Sequence, residues 1–174
     1  MTRLFSLLLA SVLFLGAQPA AAQDAETPTW IPFEEALAAG KETGKMVIVD
    51  IWSPTCGWCR RMQEEVYPRP DLLEYVNEHF ITGRLNIDVK DDTLSYLGYS
   101  LSSADLSVGF GAKGTPTTIF LSSDGQYITR LPGFHDYESY LPVLHFIGSS
   151  SFRDMSFQEF QEQKGIKPVG SGDQ

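Results

Sequence analysis

The sequence predicts one α/β domain built on a mixed β-sheet. Segments of helical periodicity alternate with short apolar runs rich in β-branched residues, in the order helix, strand, helix, strand, and then a hairpin and a closing helix. The 174 residues are 43% hydrophobic and 20% charged, which is the composition of a single globular domain. The 2 cysteines are too few for a disulfide-built mini-scaffold, a four-cysteine zinc site or an iron–sulfur cluster.

The first 22 residues are predicted to be a signal peptide that lies outside the fold. Arg3 precedes a nearly unbroken apolar run, Leu4 to Ala17, and small residues lead to a cleavage point near Ala22-Gln23. An uncleaved N-terminal anchor is the alternative, but a run of about 14 apolar residues is shorter than the roughly 20 that span a bilayer. We therefore expect export to the periplasm, an oxidising compartment, and no transmembrane span after signal cleavage.

The remaining chain is predicted to have three parts. These are a polar lead-in over 23–29, the folded domain over 30–164, which includes a short C-terminal helix, and a polar tail over 165–174.

The first half of the domain opens on a helix and a buried strand. Met46–Trp52 is a β-branched apolar run, typical of a strand that is buried on both faces. The other predicted elements are a helix with Phe33, Ala36 and Leu37 that ends between Gly40 and Gly44, a helix from Cys56 to Pro68, a helix after Pro70 that includes Leu72, Leu73, Val76 and Phe80, and an alternating strand over Gly83–Asp88.

The second half begins with a polar stretch, residues 89–113, that is predicted to be a loop with one short helix. Asp124-Gly125 between two strand-like segments predicts a hairpin. Pro142 fits the closing helix only if that helix begins near Ser139, since only the first turn tolerates a missing N–H. The predicted elements are strands over Thr117–Leu121 and 126–131, a closing helix with Tyr137, Tyr140, Leu141, Leu144 and Ile147, and a last helix capped by Ser156 and Glu159.

The two thiols, Cys56 and Cys59, lie just after the buried strand and at the start of a helix. A sulfur at a helix N-terminus faces unpaired N–H groups and the positive end of the helix dipole, and both favour the thiolate. The thiolate is the attacking species in disulfide exchange. We therefore expect Cys56 to be the exposed nucleophile and Cys59, one turn deeper, to be the resolving thiol.

Three other uses of the cysteine pair fit the sequence less well. A zinc site needs two more ligands, and His79, His135 and His145 show no paired spacing. Covalent haem attachment needs a histidine directly after the second cysteine, where Arg60 stands. A purely structural disulfide would close too short a loop to constrain the unfolded chain much. A redox pair without metal or other cofactor is the favoured interpretation.

The ordered motifs of this chain resemble the thioredoxin superfamily. Val47–Cys59 resembles its active-site strand, turn and helix start, Arg84–Asp88 the next strand, Gly114–Thr117 the cis-proline loop, and Gly133 the glycine after the hairpin. The resemblance implies a three-layer α/β/α sandwich and a thiol–disulfide oxidoreductase. Within the superfamily, residues 60–67 resemble the C-terminal domain of DsbD, and residues 152–160 resemble SoxW-type thioredoxins.

The resemblance also assigns an acid beneath the cysteines, Asp50. Burial at the end of an apolar strand would raise its pKa, so that it can accept the proton of Cys59 directly or through water. Arg84 is expected near this acid, where it favours ionisation. Supporting roles fall to Trp52, packed beneath the site, and to two glycines, Gly57 and Gly133.

The substrate-binding surface implied by the resemblance consists of Thr115, Pro116 and Trp58. A cis Pro116 would expose the backbone of Thr115 to an extended client segment. The chain departs from the typical motif, with Thr55 and Trp58 where thioredoxins usually have Trp and Pro. Residues 89–113 also make it longer than small thioredoxins; this stretch is either a partner-recognition loop or without function.

Three functions remain open on the sequence. The first is a reductase of client protein disulfides that receives electrons from a membrane thiol donor of the DsbD/CcdA type. The second is a disulfide oxidase or isomerase, although such oxidases generally carry a larger helical insertion. The third is a non-enzymatic binding module. A nucleic acid partner is disfavoured because the net charge is −9.

Overall fold

The computed structural model describes residues 27–166. The predicted signal peptide and residues 167–174 of the polar tail lie outside this range, and the predicted bounds of the domain stay a prediction. The α-helices are α1 (Phe33–Thr43), α2 (Gly57–Arg61), α3 (Pro70–His79), α4 (Ser103–Gly109), α5 (Tyr137–Gly148) and α6 (Phe157–Lys164). A π-helical turn over Met62–Val66 follows α2 directly, and a 3₁₀ turn covers Ser151–Arg153. The strands are β1 (Ile31–Pro32), β2 (Met46–Trp52), β3 (Phe80–Asn86), β4 (Leu94–Tyr96), β5 (Tyr99–Leu101), β6 (Thr117–Leu121) and β7 (Tyr127–Pro132).

The central sheet is mixed, as predicted, with the strand order β1-β3-β2-β6-β7. Strand β2 pairs in parallel with β3 and antiparallel with β6, so it lies at the centre. Both edge strands carry features that oppose further pairing. Strand β1 has 2 residues and ends in Pro32, and β7 carries an exposed Arg130 and ends in Pro132.

Helices cover both faces of the sheet, which confirms the expected three-layer α/β/α architecture. Alternate residues of β2 separate the two cores: Val47, Val49 and Ile51 face α1 and α4, whereas Ile48 faces α3, α5 and α6. This alternation follows from the two-residue period of a strand. Asp50 shares the face of Ile48, and the chain leaves β2 at Trp52 for the cysteines.

The bounds of β2 and β6 agree with the prediction, and α1 ends between Gly40 and Gly44 as predicted, but the end of α3 and the bounds of β3 were wrong. Helix α1 continues through Gly40 to Thr43, because Gly40 is buried against Val47 and the αL glycine that ends the helix is Gly44. Phe80 begins β3 instead of ending α3. Strand β3 therefore covers 80–86 and not 83–88, since it pairs with all 7 residues of β2.

The closing helix also begins earlier than its proline suggested. Asp136 caps α5, with its side chain accepting from the Ser139 N–H at 3.0 Å, so the helix starts at Tyr137 and not near Ser139. Pro142 then lies inside the helix, where it is buried in the core. The capping box of Ser156 and Glu159 at α6 is confirmed.

Residues 89–113 contain a small hairpin as well as the predicted short helix. Strands β4 and β5 pair antiparallel, with Tyr96 opposite Tyr99. The turn between them places both Leu97 and Gly98 at positive φ, 49° and 86°. A glycine adopts this conformation freely, but a leucine rarely does. This hairpin is therefore a correction to the predicted loop.

A substitution of Gly83 tests the fit between α1 and the sheet. A Cβ at this position would lie 2.6 Å from the Cβ of Ala36. Because both residues are buried, Gly83→Ala is expected to lower the free energy of unfolding by about 1–3 kcal/mol. Gly109→Ala is the matched control, since nothing lies within 4 Å of its added Cβ. Urea denaturation of both variants measures the difference, and equal stabilities would contradict the close packing.

Candidate active site

Cys56 and Cys59 form a disulfide at the start of α2, with their Cα atoms 5.3 Å apart. Cys56 is the N-cap residue, and its Sγ accepts a hydrogen bond from the Cys59 N–H at 3.0 Å. Cys56 is half-buried, whereas Cys59 is only 3% exposed. The geometry thus makes the first cysteine the accessible one and aims the Cys59 N–H at its sulfur.

The turn that carries the chain from β2 to the disulfide is held by Ser53. Its hydroxyl donates to the Asp88 carboxylate at 2.6 Å and lies 3.0 Å from the hydroxyl of Thr55. The Ser53 carbonyl accepts from the Cys56 N–H at 3.1 Å. These bonds fix the first cysteine relative to the end of the sheet. Asp88, which follows β3, was not predicted to contribute to the site.

Asp50 is 1% exposed and pairs with Arg84 on the neighbouring strand. Arg84 Nε and Nη2 lie 3.0 Å and 2.9 Å from Asp50 Oδ2. Burial raises the pKa of Asp50, and this effect outweighs the lowering by the Arg84 charge and hydrogen bond. Asp50 and Arg84 therefore form the expected pair, and the Asp50 carboxyl holds its proton more strongly than an exposed aspartate does. Among the described residues, no hydrogen bond joins Asp50 to either cysteine.

Two tryptophan rings hold the guanidinium of Arg84 in place. Its Cζ lies 4.3 Å from the ring centre of Trp52 and 5.2 Å from that of Trp30. Such stacking orients an arginine and shields its charge from water. Trp52 thus contacts the site through Arg84, the partner of Asp50.

The Thr115–Pro116 peptide bond is cis. The Pro116 carbonyl accepts from the Gly133 N–H at 2.8 Å, which ties this loop to the end of β7. Thr117 lies opposite Ile51, so Pro116 is at the same end of the sheet as the turn to the cysteines. A cavity of about 300 Å³, which we call the proline cavity, opens here. Its lining residues are 111, 113–117, 130, 132 and 133.

Trp58 and Phe134 bridge the disulfide and the proline loop. Their ring centres are 5.2 Å apart, and Trp58 is 54% exposed. The guanidinium of Arg61 lies over both rings, at 5.5 Å and 5.0 Å. Gly57 is exposed at the first position of α2 and has open space around it. An apolar surface next to the accessible sulfur therefore faces solvent.

The sequence did not predict the buried phenols of Tyr67 and Tyr140, which lie behind Asp50. Their rings are 6.0 Å apart, and burial together with the nearby Asp50 charge raises the pKa of both. The Tyr140 hydroxyl lies 3.4 Å from that of Thr118, whereas the buried Tyr67 hydroxyl has no hydrogen-bond partner of normal geometry among residues 27–166, although the Tyr140 phenol lies near it. The Gln63 amide nitrogen is likewise buried without a partner. The only signal for this cluster in the sequence is that both tyrosines stand at apolar positions of helical segments.

The unpaired hydroxyl of Tyr67 leads to a prediction on stability. A buried polar group without a partner costs about 1–3 kcal/mol, so Tyr67→Phe is expected to raise the free energy of unfolding by about 1 kcal/mol. Tyr140→Phe is the matched control and is expected to lower it slightly, since it removes a contact with Thr118. Chemical denaturation compares the two variants. A loss of stability in Tyr67→Phe would show that its hydroxyl has a partner.

Within residues 27–166, no group of three or more histidine, cysteine or acidic side chains is placed to hold a metal ion. No helix in this range is long and apolar enough to cross a membrane.

Comparison with known proteins gives a match to the family model described as a thioredoxin-like domain, over residues 33–148. Among curated proteins, the chain is 27% identical over 104 residues to the thiol:disulfide interchange protein DsbD of Pseudoalteromonas atlantica, a match that covers 59% of this chain and 16% of that protein. The first two curated relatives are thus matched over only 14% and 16% of their own length.

Two solved structures share the fold. A thioredoxin from Thermus thermophilus is 25% identical with a TM-score of 0.56, and the match covers 70% of this chain and 88% of that one. A putative disulphide-isomerase from Bacteroides thetaiotaomicron is 24% identical with a TM-score of 0.57, and covers 74% and 98%. The second likeness concerns the fold alone.

Proposed function

Because the chain belongs to the family of thioredoxin-like domains, we propose that it reduces disulfides in client proteins by dithiol–disulfide exchange through Cys56 and Cys59. The observation that carries the proposal is the unequal exposure of the two sulfurs at the start of α2: the first is accessible and the second is 3% exposed. The cavity beside Pro116 offers room for the client segment at the same end of the sheet.

The proposed exchange has two steps. In the reduced protein, the Cys56 thiolate attacks one sulfur of the client disulfide, so that a mixed disulfide forms and the first client thiolate leaves. Cys59 then loses its proton, with Asp50 as the acceptor, and attacks the Cys56 sulfur. The second client thiolate leaves, and Cys56–Cys59 is oxidised while the client disulfide has gained two electrons. Arg84 and the tryptophans around it position Asp50.

The residues between the cysteines support electron flow from this protein to the client. Gly57 and Trp58 carry no charge, and the only hydrogen bond to Cys56 Sγ within the described residues comes from the Cys59 N–H. A strong oxidant such as DsbA is oxidising because its reduced form is stabilised. With uncharged residues between the cysteines and a single hydrogen bond to the sulfur within the described residues, the reduced form is expected to gain less stabilisation than in such an oxidant, which favours a reductase over an oxidase.

We further propose that the protein works in the periplasm and is reduced there by a membrane thiol donor of the DsbD/CcdA type. The proposal rests on the N-terminal sequence pattern and on the match to DsbD. Cell fractionation, with the size of the exported chain measured by mass spectrometry, tests the location. Recovery of the full chain in the cytoplasm would contradict it.

A redox titration of the Cys56–Cys59 pair tests the direction. Known couples extend from about −270 mV for thioredoxin to about −120 mV for DsbA. We expect a midpoint potential near the thioredoxin end and catalysis of insulin reduction when electrons are supplied. A potential near that of DsbA would instead make the protein an oxidase or isomerase. Inactivity of the wild-type protein towards insulin would favour a binding module.

A further inference from the structure

A second cavity, which we call the aromatic groove, lies between the hairpin β4–β5, helix α4 and strand β7. Its volume is about 600 Å³. Phe110 and Tyr127 stack at 6.3 Å along its floor. Tyr99 and Leu97 on the hairpin stand at its rim and are 68% and 53% exposed. Apart from Tyr127, these side chains belong to residues 89–113, the stretch to which the sequence assigned no definite role.

The aromatic groove continues into the proline cavity. Gly111 and Arg130 line both. The guanidinium of Arg130 lies directly over Gly111, since a Cβ at Gly111 would be 2.5 Å from Arg130 Nη1. A segment bound beside Thr115 therefore enters the aromatic groove by passing the Arg130 side chain.

The charge of this surface is opposite to that of the whole chain. The net charge is −9, yet the charged residues that line the two cavities are Lys113 and Arg130, and neither cavity is lined by an acid. Both side chains lie at or near the junction between the cavities. A ligand that crosses the junction is therefore favoured if it carries a carboxylate there.

We propose that the aromatic groove and the proline cavity form one recognition site for a client polypeptide, in which an acidic residue near the reacting cysteine lies at Arg130 and an apolar side chain farther along fills the groove. This inference rests on the proposed function and deepens it by naming a class of client sequence. Strand β7 indicates the distance between the two parts of this site. Tyr127 lies five residues before Pro132, which corresponds to about 17 Å of extended chain. The apolar client residue thus stands about five positions from the cysteine.

Fluorescein-labelled peptides test the recognition directly. Each peptide carries serine in place of the cysteine, two aspartates next to it and a tyrosine five positions away, either before or after the serine. We expect one of these two orientations to bind the full chain about tenfold more tightly than a Gly-Ser peptide, by fluorescence anisotropy. Replacing the aspartates by lysines is expected to remove this advantage.

Three variants assign the binding to the two cavities. Tyr127→Ser is expected to weaken binding of the favoured peptide about tenfold by loss of an aromatic contact. Arg130→Gln is expected to abolish the preference for aspartate over lysine. Val108→Ser is the matched control, because Val108 is 68% exposed on α4 but lines neither cavity. It should bind the peptide as the wild type does.

Rates of disulfide reduction distinguish the failure of the recognition site from the failure of the proposed reductase. Reduction rates are measured for the corresponding cysteine peptides and for oxidised glutathione, which has no long flanking segment. Reduction of all disulfides, with a peptide affinity that is the same for every peptide sequence and for the Tyr127→Ser variant, would refute the recognition site but not the reductase. If no disulfide is reduced, the reductase is refuted and the anisotropy series still decides whether the groove binds these peptides.

A second copy of this chain is the competing occupant. Sedimentation velocity of the full chain at increasing concentration detects it. A dimer that Tyr127→Ser dissociates, and Val108→Ser does not, would overturn the client site in favour of self-association.

Discussion

Cys59→Ser is expected to accumulate a mixed disulfide with a protein client, whereas Cys56→Ser is expected to lose exchange down to the rate of the protein-free reaction. In the first variant the accessible Cys56 still attacks, but no second thiol is present to resolve the product. In the second variant the remaining thiol is 3% exposed and lies inside α2, away from the cap position.

The measurement is trapping of a disulfide substrate followed by non-reducing electrophoresis and mass spectrometry. The double variant is the control for non-specific adducts. Trapped clients from the Cys59→Ser protein would also identify the natural substrates. Equal trapping by Cys56→Ser would mean that the two sulfurs have exchanged roles, against their exposure in the structure.

Asp50→Asn is expected to slow the resolving step about a hundredfold near neutral pH, the lower end of general-base effects. The asparagine keeps the size of the side chain but cannot accept a proton. Attack by Cys56 should change little, because the helix N-terminus and not Asp50 favours its thiolate. The difference should narrow at high pH, where Cys59 ionises without a base.

Stopped-flow kinetics between pH 6 and 9 separates the two steps. Asp124→Asn is the matched control, since it makes the same chemical change in the turn between β6 and β7. A resolving rate that is unchanged across this range would show that Asp50 does not accept the proton.

The same substitution gives an expectation for stability. The pKa of Asp50 is raised above 3.8, so between this value and the folded-state pKa the native protein retains a proton that the unfolded chain has released. The free energy of unfolding therefore falls as pH rises through this window, and it falls no further above it. Asp50→Asn lacks this loss, so its stability relative to the wild type should increase from about pH 4 upward. A difference that does not vary with pH would mean that burial leaves the carboxyl unperturbed.

The strands that hold the site could be predicted because their hydrophobic patterns are unambiguous. Strands β2 and β6 have the predicted bounds, and the position of Asp50 at the end of an apolar strand was enough to expect its burial and its raised pKa. These expectations follow from a short segment, because a strand between two others is apolar on both faces. The neighbour Arg84 was expected only from the resemblance to thioredoxins.

The hairpin β4–β5 could not be predicted because its turn lacks the usual signal. A two-residue hairpin turn of type I′ needs both of its central residues at positive φ, and Asn-Gly or Asp-Gly is the usual sequence for it. Here Leu97 takes the first position, which nothing in the sequence indicates. The groove that this hairpin helps to form was equally hidden. The groove is formed by residues from two distant segments of the chain. The contact between Tyr67 and Tyr140 behind Asp50 likewise joins distant segments, so neither could be predicted from local sequence patterns.

The two edges of the sheet also bear on edge-to-edge pairing between copies of this chain. A free strand edge is a template on which identical chains can stack into cross-β aggregates. Here one edge strand has only 2 residues and ends in Pro32, and the other carries Arg130 and ends in Pro132. Strand addition is thereby discouraged along the sheet. Clients held in extended form at the proline loop, as proposed above, would therefore lie beside a sheet whose edges oppose cross-β stacking.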